Sequence, residues 1–134
     1  APRGTVAIYL SLDTPSGLAV NGTYSVGGTA ISGTDYTAFV GTYTIPAGAT
    51  TATLDTSLFD DTLDELAETV VLTLVAPTNA TLGAARVHTL TIDDNDAPPT
   101  VNFDPMSQSL DAPRGTVAIY LSLDTPSGLT VNGT

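Results

Sequence analysis

Residues 59–68 (FDDTLDELAE) carry five carboxylates in ten positions: Asp60, Asp61, Asp64, Glu65 and Glu68. A second acidic run, IDDND, brings Asp93, Asp94 and Asp96 within four positions. Carboxylates held a few ångströms apart repel by several kcal/mol unless they are screened, protonated or neutralised. The chain has only three Lys plus Arg against fourteen Asp plus Glu, so its own cations cannot pair them all. Oxygen donors with no Cys and no neighbouring His suit a hard cation such as Ca2+ better than Zn2+ or copper. Acidic loops at strand ends also stand simply solvated, and composition alone leaves both readings open.

Other chemistry has less support. His88 is the sole histidine and keeps phase with Leu90 and Ile92. That pattern reads as an edge or half-buried strand position, since no Cys or activated Ser accompanies it. Paired carboxylates can serve a glycosidase, but these sit on loop runs without aromatic platforms, so we expect no enzyme and no catalytic residue. Asn21, Asn79 and Asn132 each begin an N-x-Thr match to the glycosylation acceptor pattern, and turn formation is the better reading of them. A net charge of −11 with only three Lys plus Arg argues against nucleic acid or an anionic membrane as a partner, since both call for clustered cations. No apolar run reaches the roughly 20 residues of a membrane-spanning helix. The first residue is not Met, and we expect the natural N-terminus to lie elsewhere.

The elements that must carry the acidic runs are strands. Residues 5–12 (TVAIYLSL) alternate, with Val6, Ile8, Leu10 and Leu12 on one face. Residues 24–30, 42–45 and 51–58 are β-rich, the last with Ala52, Leu54 and Leu58 in phase. Residues 69–75 (TVVLTLV) form the most apolar run and read as a central strand, 86–92 as a further strand, and 101–103 as the start of another. Turn signals separate them: TPSG at 14–17, Asn21 with Gly22, Gly27 with Gly28, Ser32 with Gly33, 46–48 and 77–79. The LDELAE stretch at 63–68 is too short for a helix. The expected fold is all-β, an antiparallel immunoglobulin-like β-sandwich.

The chain also repeats itself. Residues 1–23 recur at 112–134 with one difference, Ala19 against Thr130, at an offset of 111 residues. A period near one domain length implies a tandem array. The expected division is a sandwich over 1–96 lacking its opening strand, a Pro-containing linker at 97–100, and the opening strands of the next repeat at 101–134. The missing strand would come from upstream residues of the same chain, from a neighbouring chain by strand complementation, or from 101–111 folding back.

In order and content the segments resemble the Calx-beta family, known from sodium–calcium exchangers and bacterial surface proteins. The matching residues are GTDY at 33–36, the Pro46-Ala47-Gly48 turn, the acidic 60–68 running into VVLTL, PTNATLG at 77–83, TIDDND at 91–96 and VNFDP at 101–105. The resemblance implies Ca2+ held by Asp35, by Asp60 and Asp61, by the Leu63 carbonyl and Glu65, and by Asp94, Asp96 and Asp104. Asn95 departs from the consecutive acids of the richest calcium-binding members, which implies fewer or weaker sites.

The expected function is a structural repeat unit of an extracellular fibre, stalk or adhesin shaft on a bacterial cell surface. Ca2+ would stiffen it, and neighbouring repeats or identical subunits would join it head to tail. Two rivals are a Ca2+-sensing regulatory module and a ligand-binding adhesin domain. The latter needs exposed aromatics, for which only Tyr9, Tyr24, Tyr36, Tyr43 and Tyr120 are available.

Overall fold

The computed structural model describes residues 4–112 and 115–134; the start of the repeat at 1–3 and its counterparts Pro113 and Arg114 lie outside the described residues. Eight strands follow in order: β1 (Gly4–Ser11), β2 (Val20–Gly28), β3 (Thr42–Ile45), β4 (Thr51–Leu58), β5 (Glu68–Leu74), β6 (Val87–Ile92), β7 (Val101–Asp104) and β8 (Tyr120–Leu123). Among the described residues no helix is long and apolar enough to cross a membrane. Two compact units divide the chain. The first holds the described residues up to Asp61 together with Ala67–Asp94, and the second holds Thr62–Leu66 with Asn95–Thr134.

The first unit is a sandwich of two antiparallel sheets, β1-β4 and β3-β2-β5-β6. In β1 the expected alternation is realised: Ile8 is buried, Val6 and Leu10 are half-buried and Tyr9 is exposed. β4 answers with Leu54, Thr56 and Leu58 on the same inner face, and Ile8 stands opposite Leu54. The facing sheet contributes Val20 and Tyr24, Tyr43 and Ile45, Val70 and Leu72, and Ile92. β5 is flanked by β2 and β6, which is the central place its apolar run implied. Thr56 is buried on this face, and its hydroxyl donates to the Thr37 carbonyl at 2.7 Å, which satisfies it.

Two turn signals fall elsewhere. Asn21 and Gly22 lie inside β2, opposite Thr44 and Tyr43. Tertiary packing overrides the local preference here: the Tyr43 ring lies across Gly22, where any Cβ would collide with it. Gly27 and Gly28 end β2 as paired strand residues opposite Val71 and Val70. Gly28 has φ +111°, and a Cβ there would run into the Thr69 carbonyl, so the strand leaves the sheet at a position only glycine fills.

In the second unit β7 pairs antiparallel with β8, Val101 opposite Leu123 and Asp104 opposite Tyr120. Asp124 fixes the end of this ribbon. Its carboxylate accepts the Thr100 N–H and the Thr100 hydroxyl, both at 2.8 Å, and the Thr100 carbonyl accepts the Asp124 N–H at 3.2 Å. These bonds, led by the Thr100 N–H, hold the Asp124 carboxyl below its ordinary range.

Candidate functional site

The GTDY segment forms a closed loop between β2 and β3. Thr34 donates its N–H to the Ile31 carbonyl at 3.1 Å, and Gly33, at φ +89°, supplies the left-handed residue that such a turn needs at its third position. Asp35 closes the loop. Its Oδ2 accepts the Ile31 N–H at 2.5 Å, its own N–H donates to the Ile31 carbonyl at 2.9 Å, and its side chain is 9% exposed. The next residue, Tyr36, bridges antiparallel to Leu58, and the Asp35 carbonyl accepts the Phe59 N–H at 2.9 Å. That pairing seats Asp35 beside the end of β4, where the chain enters Asp60 and Asp61. The resemblance implied that Asp35 shares ligand duty with Asp60 and Asp61, and the backbone pairing of Tyr36 and Asp35 with Leu58 and Phe59 adjoins the two segments.

The expected ligands divide between the two units. Asp35, Asp60, Asp61 and Asp94 belong to the sandwich; Leu63, Glu65, Asp96 and Asp104 belong to the second unit. Asp60 is half-buried and Asp61 exposed after β4, and Asp94 is half-buried two positions beyond the end of β6. In the second unit the Asp64 carbonyl accepts the Gly128 N–H at 3.1 Å and the Ser127 hydroxyl at 3.4 Å. The Glu65 side chain lies against Gly128. Asp104 stands exposed on β7 opposite Tyr120.

Among the described residues, no group of three or more His, Asp or Glu side chains is gathered closely enough to hold a metal ion. The donor chemistry of the sandwich set, all carboxylate oxygen, fits a hard cation. Part of Asp35's capacity is spent on Ile31, so its remaining oxygen is what it has to offer such an ion.

The remaining candidates resolve simply. His88 is exposed on the edge strand β6, opposite Leu72. Tyr24, Tyr36 and Tyr43 are buried, leaving Tyr9 and Tyr120 exposed among the five tyrosines. Tyr24 and Tyr36 pack on Phe39 with ring centroids 6.3 and 5.8 Å apart, and burial raises the Tyr43 hydroxyl above its ordinary pKa. Three of the aromatics that a sugar platform would need are therefore core residues.

A groove of about 590 Å3 opens between β1 and β6, the two edge strands on one side. Its floor is core: Ile8, Val20, Ile45, Leu54 and Leu72 among others, and its far rim is the 80–88 segment.

No protein-family model matches the chain, and no curated protein matches it. Solved structures do. The calcium binding domain CBD12 of CALX1.1 superposes with a TM-score of 0.61 at 24% identity, over 75% of this chain and 42% of that one. CBD12 from CALX1.2 gives 0.60 at 24% identity with the same coverage. The apo-form Calx CBD1 domain gives 0.59 at 24% identity, over 69% of this chain and 84% of that one. The fold is the Calx-beta fold. The chain thus spans less than half of the CBD12 structures and most of the CBD1 domain. The Calx-beta neighbours bear out the antiparallel sandwich expected from the strand pattern.

Proposed function

We propose that this chain is a calcium-binding β-sandwich module used as a repeating structural unit of an extracellular fibre, stalk or adhesin shaft, at a bacterial cell surface. The observation that carries the reading is the near-identity of residues 1–23 and 112–134, set on a Calx-beta fold. Near-identical repeats give every junction of an array the same geometry, which a shaft requires and a sensor does not. Calcium enters because one of the similar solved structures is named a calcium binding domain and because the acidic loops carry oxygen donors only. Asp35, Asp60, Asp61 and Asp94 are the sandwich carboxylates that would draw together to hold the ion. Its binding would neutralise carboxylates that otherwise repel, and so stiffen the loops. The role is non-enzymatic.

The test is thermal unfolding with saturating Ca2+ and with chelator. A ligand that binds only the folded state at about 100 times its Kd stabilises by about 2.7 kcal/mol, so the midpoint should rise by several degrees. Asp60→Asn with Asp61→Asn should remove the rise. An unchanged midpoint in the unmutated chain takes calcium out of the account. Imaging of the native material should show rods.

A second reading is a Ca2+-sensing regulatory module, since a calcium binding domain of CALX1.1 is among the similar structures. It predicts compact particles at every calcium concentration, and a calcium-dependent change of shape in place of rods.

A further inference from the structure

β1 and β8 hold the same residues in different surroundings. At the 111-residue offset, Tyr120, Leu121, Ser122 and Leu123 of β8 repeat Tyr9, Leu10, Ser11 and Leu12. In the second unit this sequence is paired with β7. In the sandwich it is paired with β4, and β1 is the last strand of its sheet, with the groove along its other edge.

Backbone parity decides whether one such strand can satisfy both partners. In an antiparallel ladder successive residues aim their N–H and C=O groups to opposite sides. Leu12 donates its N–H to Thr50, so the even-numbered residues of β1 face β4. Asp124, the equivalent of Asp13, donates its N–H to Thr100, so the residues of β8 equivalent to Tyr9 and Ser11 face β7. The two sets are complementary. The edge of β1 that β4 leaves open is the edge that β8 presents to β7.

We propose that the open edge of β1 and the adjoining groove accept residues 101–110 of a second copy of this chain. β7 of the donor would pair with β1 as Val101 opposite Leu12, Asn102 opposite Ser11, Phe103 opposite Leu10 and Asp104 opposite Tyr9. Directly opposed side chains share a face, so Val101 and Phe103 enter the groove beside Leu10 and Leu12. Asp104 and Asn102 stay in water beside Tyr9 and Ser11. The exchange favours the acceptor. In its own unit β7 is exposed along its whole length, with Val101 at 50% and Phe103 at 62%, and an isolated two-stranded ribbon is marginal in water. In the groove the same side chains would cover Ile8, Leu54 and Leu72. Asp13 would meet Thr100 as Asp124 does.

This deepens the assembly part of the proposed function and is independent of calcium. The chain has no Cys, so a Ser11→Cys chain and an Asn102→Cys chain can be mixed and oxidised in chelator without background. Opposed residues of a hydrogen-bonded antiparallel pair have Cα atoms about 5.5 Å apart, within disulfide reach. The expected result is a mixed disulfide dimer several-fold above a Ser11→Cys and Asn132→Cys control, and lost when Phe103→Asp is added to the donor. A yield equal to the control overturns the proposal. So does a monomeric, internally bridged product from the Ser11→Cys/Asn102→Cys double variant at high dilution and high concentration alike, which would mean β7 folds back on its own β1. Either failure leaves the calcium-dependent midpoint and the rods unaffected, and a failed calcium response leaves the cross-link unaffected.

Discussion

Ile8 and Ile119 are the same residue in the same local sequence, yet Ile8 is 6% exposed and Ile119 is 69% exposed. Replacing each by Ala therefore separates packing from every local effect. Ile→Ala removes three methylene equivalents at about 0.8 kcal/mol each, about 2.4 kcal/mol in transfer terms. A cavity term adds to this in a closed core, but Ile8 lines the groove, where one wall is open, so the addition is small. The expected cost of I8A is about 2–3 kcal/mol. I119A should change stability by no more than about 0.5 kcal/mol. Urea unfolding at micromolar concentration, followed by tyrosine fluorescence, reads the sandwich because Tyr24, Tyr36 and Tyr43 are buried there. With a slope of roughly 1.5 kcal/mol/M, I8A should lower the midpoint by about 1.3–2 M. Equal shifts for the two variants, or an I8A cost below about 1 kcal/mol, would refute the assignment of β1 to the core.

Three further outcomes follow. Gly28→Ala should destabilise the sandwich by at least about 2 kcal/mol, because it combines a left-handed φ with a clash at the Thr69 carbonyl; amide exchange across β2 and β5 would show where pairing is lost. Asp35→Ala should cost about 1–3 kcal/mol by stranding the Ile31 N–H, whereas Asp35→Asn, which keeps an acceptor, should cost less. The Asp124 carboxyl is held low by Thr100, so its contribution is complete above the unfolded value of about 3.9 and is lost as pH falls through the lower folded value. Carbon-detected NMR titration should show Asp124 and the Thr100 amide moving together, and Thr100→Ala should raise the Asp124 midpoint.

The strands were legible because their signal is periodic and local. The alternation in β1, the TVVLTLV run and the turn at 46–48 each reflect a half-buried or central strand directly, and β3 and β4 fall on the expected residues. Asn21 and Gly22 were not, since a turn preference worth a fraction of a kcal/mol yields to a tyrosine ring packed over the glycine. For the site, the residue types were readable and the resemblance grouped them, but the backbone contacts that seat them were not. That Asp35 closes its own loop on Ile31 depends on a tight turn. That it abuts the end of β4 depends on a pairing between residues more than twenty positions apart. The groove's lining left no trace in either edge strand; its sequence correlates are the opening strand expected to be missing from 1–96 and the recurrence of β1's residues behind VNFD.

The recurrence of β1 as β8 also bears on how the chain reaches its native state. Ile8 lies 46 positions before its partner Leu54, and Ile119 lies 65 positions after it. Loop-closure entropy separates these two choices by only about 0.3 kcal/mol, so in a chain released from denaturant β4 meets two nearly equivalent suitors. During synthesis the first copy is made, and can pair, before the second exists. Order of emergence, rather than affinity, selects the right partner, and material refolded from denaturant should carry a misregistered fraction that freshly synthesised protein lacks.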